Sequence, residues 1–181
     1  WVMKAEPEEQ YSFKTVEARN TFDYMLRTSQ QAHLQLSMMA DQKASILLGA
    51  EVVMLTLLFG RLGPEKVDSW VFVLAGFVFL SAIFALMAVM PKYKIDLDGI
   101  SNPNWLFFAV SAQLSPEEYR KKIAHIAQQD ARIYETIVND IHQMGSVLYK
   151  KKFRFLNLSY KTLLLGIATT FVMVLIKQLG F

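Results

Sequence analysis

A single acidic residue, Glu51, interrupts an otherwise apolar stretch of the chain. The segment 44–60 reads ASILLGAEVVMLTLLFG and carries no other charge. Isolating a carboxyl group in hydrocarbon is costly, so such residues usually face a bundle interior or water. Two interpretations follow: Glu51 lies at a subunit interface or lines a conductive path, or it is a protonated glutamic acid hydrogen-bonded to a neighbouring helix.

Aromatic side chains form a second candidate site, in the segment 91–114. This segment is rich in Asp, Asn, Gly and Pro. It is long for a connection, and long loops are often functional. Trp105 and Phe107 could stack on the flat base of a small ligand. The alternative is a loop that these rings attach to the rest of the protein by packing.

Basic side chains near the ends of the apolar segments could bind the phosphate of such a ligand. They are His33, His142 and Lys151. The alternative is a polar layer that fixes the register of two helices. Three further charged residues lie near these positions. Asp41 and Lys43 come just before the apolar segment 44–60, and Asp140 comes just before His142. They could couple cytoplasmic movements to the apolar segments. The alternative for Asp41 and Lys43 is an interfacial ion pair with a snorkelling lysine.

Composition excludes several kinds of site. The chain has no Cys and only three His, which excludes metal thiolates and leaves no convincing set of metal ligands. We find no glycine-rich phosphate loop, nucleophile elbow or paired base, so neither an enzyme nor a cofactor is expected. The formal net charge is only +3 and the basic residues lie beside the apolar segments, so no nucleic-acid partner is expected.

Three apolar segments have about the length needed to cross a lipid bilayer. Residues 70–90 read WVFVLAGFVFLSAIFALMAVM, without a charge. A helix of about 20 apolar residues matches the ~30 Å hydrocarbon core. Residues 44–60 and 156–176 are similar, although each could also be a buried core helix. The chain is 53% hydrophobic and 19% charged, and its charges lie mostly outside these segments, so a substantial part lies in water.

The apolar segments define an order of parts along the chain. Residue 1 is Trp rather than Met, which suggests that the N-terminal segment is truncated. Seven Lys and Arg residues lie near the span ends on one side of the membrane, and three lie on the other side. Because cytoplasmic loops carry the excess of Lys and Arg, this predicts a cytoplasmic N-terminus and a C-terminus outside. The parts are an N-terminal segment 1–14, a cytoplasmic helix 15–43, a first span 44–60, an outer loop 61–69, a second span 70–90, a cytoplasmic loop 91–114, a cytoplasmic helix 115–155, a third span 156–176 and a tail 177–181.

The charged parts of the chain read as two long helices. Residues 15–43 contain no Pro or Gly, and nothing separates them from the first span, so one continuous helix over about 15–60 is expected. Ser115, Pro116 and Glu118 form a capping box that begins the second helix. Each helix has an apolar stripe that the other can cover. The sequence therefore predicts an all-α membrane protein, with three transmembrane helices and long cytoplasmic helical extensions that form a hairpin or bundle.

Small residues recur at four-residue spacing within all three spans. Such pairs let helices approach closely in lipid. They serve either the three-helix fold itself or contacts between protomers, and a water path through so thin a protomer requires an oligomer. The pairs are Ser45 and Gly49, Ser81 and Ala85, and Gly166 and Thr170.

Four short sequence elements occur in order around these spans. They are MADQKASILLG at 39–49, LFF at 106–108, LSPEEYRKK at 114–122 and NDIHQMGSVLYKKKF at 139–153. This order resembles the transmembrane module of Pycsar effectors, bacterial anti-phage proteins that respond to cyclic nucleotides. At Ala109 and Val110 the chain departs from the family, which usually has a Gly-Asp-like pair there.

The resemblance implies a multi-pass effector of the bacterial inner membrane. A cognate cyclase makes a cyclic nucleotide on infection, the effector responds as a homo-oligomer in the lipid bilayer, and the membrane loses its integrity. Two alternatives remain. One is a non-conducting anchor or scaffold whose cytoplasmic helices recruit a partner protein. The other is a constitutive small-ion channel.

Overall fold

The computed structural model describes residues 20–61, 67–90 and 103–179. Within these ranges the chain is helical or forms turns between helices, and it contains no strand. Three of the helices are long and apolar enough to cross a membrane. This confirms the prediction of an all-α membrane protein. The predicted segment 1–14 and the first half of the predicted loop 91–114 lie outside the described residues.

Seven helical elements follow one another in the described residues. The third and sixth are short, and the last three form one unbroken helical run. The elements are α1 (Asn20–Phe59), α2 (Ser69–Val89), α3 (Phe108–Ser111), α4 (Pro116–Ile126), α5 (Asp130–Val147), a π-helical segment (Leu148–Phe153) and α6 (Arg154–Gln178).

Helix α1 is continuous over 40 residues. The expected single helix over about 15–60 is therefore observed from Asn20 onward. Gly49 does not break α1, and a side chain added there would meet no atom within 4 Å. This glycine consequently lies on an open face of the helix.

The predicted single helix over 115–155 is wrong in one respect. Helix α4 ends at Ile126 and α5 begins at Asp130, so three residues separate them. Asp130 provides a negative charge in the first turn of α5, where it interacts favourably with the partial positive charge of a helix N-terminus. A new helix start is therefore favoured here, although neither Gly nor Pro marks the break.

A wide turn joins α5 to α6. Residues Leu148–Phe153 are π-helical and contain three consecutive lysines, Lys150, Lys151 and Lys152. A π-helical turn inserts an extra residue into the helical winding, and such turns occur often at functional sites. The irregularity lies three residues beyond Gly145, which is itself within α5.

The chain forms two compact units. Among the described residues, the first contains 20–31 and 103–143, and the second contains 32–61, 67–90 and 144–179. In the first unit, α1 packs against α5: the Phe22 and Tyr134 ring centroids lie 4.8 Å apart. The Tyr134 hydroxyl donates a hydrogen bond of 2.8 Å to Asp23. The two predicted charged helices thus meet at Tyr134 within this unit.

The second unit is a bundle of the three spans. Its apolar core contains Ala40, Ala44, Leu47, Ala85, Ala88 and Leu156, contributed by α1, α2 and α6. These side chains are mostly small, which lets the helices approach closely without any hydrophobic force between them in lipid.

Candidate functional site

A buried carboxylate organises the first unit. Asp140 is only 5% exposed. It accepts a hydrogen bond of 2.7 Å from the Asn104 side chain and one of 3.1 Å from Gln30. Asn104 in turn accepts a bond of 3.0 Å from the backbone N–H of Leu106. Asp140 therefore ties the turn that carries Trp105 to both α5 and α1.

Trp105 has a cation against its ring. The Lys122 ammonium lies 4.9 Å from the centroid of the Trp105 ring. A cation at this distance over an aromatic face is attracted by the ring quadrupole. Trp105 is only partly buried, so the pair remains open to solvent on one side.

Phe107 packs beside Phe108 at the start of α3. Their ring centroids lie 4.9 Å apart, with 54° between the planes. The next two residues, Ala109 and Val110, are both buried. The two positions at which the chain departs from a Gly-Asp-like pair therefore lie inside the protein, where an unpaired ionised aspartate would be costly.

Two basic side chains, Arg132 and His125, bridge α4 and α5. The Arg132 guanidinium lies 2.8 Å from Nε2 of His125 and also donates to the His125 carbonyl at 3.4 Å. An arginine stays protonated and can only donate, so Nε2 of His125 must accept in this contact. The bridge spans the break between the helices and holds the guanidinium at the surface.

Four basic residues form what we call the cationic strip: Lys121, Lys122, His125 and Arg132. The first three share one face of α4 by their spacing, and all three are exposed. Arg132 extends the strip from α5, and Trp105 lies against Lys122. Sequence reasoning missed this cluster. The spacing of residues 121, 122 and 125 could have revealed it, but not the position of Trp105.

The five residues predicted to bind a nucleotide are divided between the units. Trp105, Phe107 and His142 belong to the first unit, whereas His33 and Lys151 belong to the second. His142 is exposed on α5. A binding role for these residues remains a prediction.

His33 and Lys151 have structural contacts within the second unit. A side chain added at Gly145 would come within 3.2 Å of the His33 ring, so these two positions pack closely. Nδ1 of His33 is buried and makes no hydrogen bond within the described residues. The Lys151 ammonium donates a bond of 2.6 Å to the carbonyl of Met90, just beyond α2.

Glu51 lies wholly inside the three-span bundle. Its side chain has no solvent-exposed surface. The Ser81 hydroxyl of α2 lies beside its carboxylate without forming a regular hydrogen bond. The structure thus places Glu51 in the interior of one chain rather than on an outer face. A role at a subunit interface or in a water path would require the spans to separate.

Asp41 pairs with a residue distant in the sequence. The Lys152 ammonium lies 2.7 Å from both carboxylate oxygens of Asp41 and 2.7 Å from the Ser37 hydroxyl. This contact joins α1 to the π-helical segment at the end of the first apolar span. Lys43 is exposed, so the ion pair of Asp41 is with Lys152 and not with its sequence neighbour.

A second ion pair joins the N-terminal end of α2 to the C-terminal end of α6. The Lys177 ammonium contacts the Asp68 carboxylate, which also accepts a bond of 3.2 Å from the Trp70 indole. The bond from Lys177, followed by that from Trp70, lowers the pKa of Asp68 below its usual value. The carboxylate is therefore charged at neutral pH, and it lies at the N-cap position of α2 without bonding to the helix backbone.

The small residues of the spans have two different environments. Ser81 and Ser159 exchange hydrogen bonds of 2.8 and 2.9 Å with each other's backbone carbonyls, and a methyl group at Gly166 would collide with Phe77. These residues pack α2 against α6. Ser45 and Gly49 are exposed on α1, so they do not serve packing within the chain.

Comparison with protein families matches residues 24–177 to the Pycsar effector protein domain. The chain belongs to this family. The match covers most of the sequence and both units of the structure, and it confirms the resemblance found in the sequence elements. No curated protein and no solved structure matches the chain.

Membership of the family has direct consequences. The Pycsar effector domain acts in anti-phage defence, and its family is one of non-catalytic effectors. Its three helices capable of spanning a bilayer give it a membrane location. No group of His, Cys, Asp and Glu in the described part of the chain is arranged to hold a metal ion.

Proposed function

We propose that this Pycsar effector domain is a homo-oligomer of the inner membrane that disrupts membrane integrity when a cyclic nucleotide from a cognate cyclase binds. Family membership and the three apolar helices support this proposal. The excess of Lys and Arg on one side of the spans supports a cytoplasmic N-terminus and a C-terminus outside.

The nucleotide is expected at Trp105 and the cationic strip. A cyclic nucleotide has one flat base and one phosphodiester charge. The Trp105 ring offers a stacking surface, and Lys122, now against the ring, can turn to the phosphate. The observation that supports this best is the Asp140–Asn104 bond, because it fixes the turn before Trp105 in place in advance of binding.

The effect of nucleotide binding must be transmitted to the spans through the helices. Helix α1 and the run from α5 to α6 each pass from the first unit into the second without interruption. A ligand shifts such an equilibrium only by its difference in affinity for the two states. The proposed site involves α4 and α5, so binding there can favour one arrangement of the α5–α6 run over another.

Trp105→Ala and Lys122→Ala test the proposal directly. Each should weaken binding of cyclic mononucleotides roughly tenfold or more, because a base stacked on an aromatic ring is worth ~1–3 kcal/mol. Binding is measured by titration calorimetry on the purified chain, and leak by dye release from liposomes that contain it. Both should fall together.

Arg120→Ala is the matched control for this test. It removes one exposed positive charge from α4 on the side away from Lys122 and should leave both binding and leak unchanged. Full retention of binding in the Trp105 and Lys122 variants would exclude this site. Absence of leak with every cyclic mononucleotide, in folded and oligomeric protein, would exclude the proposed function.

A scaffold that recruits a partner protein is the second candidate function. Helix α4 favours it, because none of its residues is buried although its isoleucines recur on one face. A scaffold predicts stable binding of a partner without nucleotide and no membrane leak. The same liposome experiment therefore separates the two functions.

A further inference from the structure

Helix α6 has an inner and an outer side. Its buried residues are Leu156, Ser159, Thr162, Gly166 and Thr170, and Ser159 and Gly166 pack against α2. Since successive residues turn by about 100° around a helix, these positions all lie on one side. The opposite side of α6 is the outer one, and in a bilayer it faces the lipid.

Three polar residues lie on the outer side where α6 begins. They are Arg154, Asn157 and Lys161, which we call the α6 ridge, and their spacing of three and four residues makes them neighbours on the helix surface. All three are exposed, and none of their side chains has a hydrogen bond or ion pair with another described residue. The same line continues with apolar residues, Leu165 at 57% and Val172 at 52% exposure. The ridge is therefore the polar end of a lipid-facing side.

The depth of the ridge in the membrane follows from the other end of α6. There Lys177 pairs with Asp68, and the Trp70 indole donates to the same carboxylate. Lysine and tryptophan are typical anchors at a membrane interface. A hydrocarbon core of ~30 Å corresponds to about 20 helical residues, which places the opposite interface near Asn157. Lys161 then lies about 6 Å inside the hydrocarbon.

A lysine at this depth on a lipid-facing side is costly unless its ammonium reaches polar groups. Side chains of a helix tilt toward its N-terminus, so the long stem of Lys161 directs the ammonium toward Asn157 and Arg154. The ammonium, amide and guanidinium donors thus converge at the level of the lipid headgroups. Because the described residues supply no carboxylate to the ridge, the counter-charge that fits here is that of a lipid.

We propose that the α6 ridge binds a single anionic phospholipid, with Arg154 and Lys161 on its phosphate and Asn157 on the headgroup beside it. Guanidinium and ammonium groups bind phosphate through charge-assisted hydrogen bonds. The Asn157 amide can both donate and accept, which suits a headgroup with hydroxyl groups, such as glycerol. This site is separate from the cationic strip on α4 and α5, and it requires neither a nucleotide nor a membrane leak.

Lipid binding to the purified chain tests the site. Native mass spectrometry in a neutral detergent should show tight binding of added phosphatidylglycerol and weaker binding of phosphatidylcholine, whose headgroup has no net charge. Arg154→Gln and Lys161→Gln should each weaken binding of phosphatidylglycerol roughly fivefold, the size of effect expected for a basic residue at an anionic membrane surface. Lys43→Gln removes an exposed charge from α1 and should leave binding unchanged.

The variant with both substitutions separates a shared site from general attraction. If Arg154 and Lys161 hold one phosphate, loss of either loosens the lipid that the other contacts, so the double variant should lose less than the product of the two single effects. Single effects that multiply, unchanged binding in both single variants, or an equal loss in Lys43→Gln would overturn the inference.

Two further measurements keep the result specific. Inorganic phosphate at millimolar concentration should not displace phosphatidylglycerol, and displacement would assign the ridge to a soluble anion instead. Thermal unfolding without added lipid, followed by circular dichroism, should be the same in the Arg154 and Lys161 variants as in the natural chain, because both side chains are exposed. Earlier unfolding of either variant would assign that residue to the fold and contradict the proposed role.

Discussion

Two glycines of the spans have opposite roles, and the difference depends on what surrounds each one. Gly166 faces Phe77 with no room for a methyl group, whereas Gly49 faces open space. Both occur in the same four-residue spacing of small residues, so the spacing alone does not distinguish them. The first glycine is required for the fold, and the second is available for contacts outside the chain.

Gly166→Leu should destabilise the bundle. Overpacking a well-packed interior typically costs about 1–3 kcal/mol, and here the larger side chain would force α2 away from α6. The measurement is thermal unfolding in detergent followed by circular dichroism. Gly49→Leu, on the open face of α1, should unfold within roughly 0.5 kcal/mol of the natural chain. Equal stability of the two variants would contradict the packing described here.

Residue roles were only partly predictable from the sequence. The sequence identified Glu51 and Asp41 because charges beside or within apolar spans are unusual. It did not predict the partner of Asp41, which is Lys152, because the two lie 111 residues apart. Nor did it predict that Asp140 holds Asn104 and with it the turn before Trp105. Contacts between distant residues depend on the fold and have no local signal.

At the level of elements, α4 owes its beginning to a reciprocal cap. The Ser115 hydroxyl accepts a bond of 3.3 Å from the backbone N–H of Glu118, and the Glu118 carboxylate accepts bonds of 3.0 and 2.7 Å from the Ser115 N–H and hydroxyl. Pro116 occupies the first helical position. The sequence predicted this cap in full because all its members lie within four residues.

The cap makes α4 sensitive to acid. Bonds from the Ser115 hydroxyl, and then from its backbone, lower the pKa of Glu118. Because the pKa of Glu118 is lower in the folded state, its ionised carboxylate stabilises the helix at pH values above the unfolded-state pKa, which is about 4.3 for Glu. This contribution is lost as pH falls through the lower folded-state value. Protection of the amides at the start of α4 from hydrogen exchange, relative to an unstructured peptide at the same pH, should therefore decrease below about pH 4 in the natural chain.

Ser115→Ala should remove much of this acid sensitivity. Loss of a serine N-cap typically destabilises a helix by ~1 kcal/mol, so protection at the start of α4 should be lower at neutral pH and should decrease less in acid. Ser111→Ala, in α3, is a control outside the cap. An unchanged pH profile in Ser115→Ala would show that the cap does not stabilise α4.

The helical elements themselves were predictable to different degrees. The spans follow from long apolar segments, which few other structures accommodate. The break between α4 and α5 was missed because Gln128 and Gln129 are ordinary helix residues, and only the following Asp130 favours a new start. The π-helical segment was missed because no local pattern marks it. Lys151 and Lys152 within it bond to Met90 and to Asp41, which are distant in the sequence.

At the scale of the whole molecule, the chain contains both a candidate receptor and the spans of the proposed membrane leak, connected by two helices. The proposed nucleotide site lies in the first unit and the Asp41–Lys152 pair in the second. The balance between closed and leaky states is then a property of the assembled chain, and a change far from the nucleotide should alter it.

Asp41→Asn should raise the basal leak without any nucleotide. A partly exposed ion pair is worth up to ~1 kcal/mol, which corresponds to about a fivefold rise in the ratio of open to closed protein. Bacteria expressing the variant should depolarise more readily than those expressing the natural chain, as measured with a potential-sensitive dye at matched expression. Lys43→Gln changes an exposed charge two residues away and should behave as the natural chain does. Identical basal depolarisation in the Asp41 variant would show that this pair does not hold the spans closed.

The wide turn at Leu148–Phe153 has one further consequence. Each residue of a regular helix advances the winding by about 100°, so the extra residue held in this turn sets which side of α6 faces inward. Deleting one residue there, with regular winding restored, would rotate the third span by about that angle. Serine and threonine would then face the lipid tails, and leucine would face the bundle. The direction in which α6 presents its side chains is thus decided by residue count in the lysine-containing turn, outside the span itself.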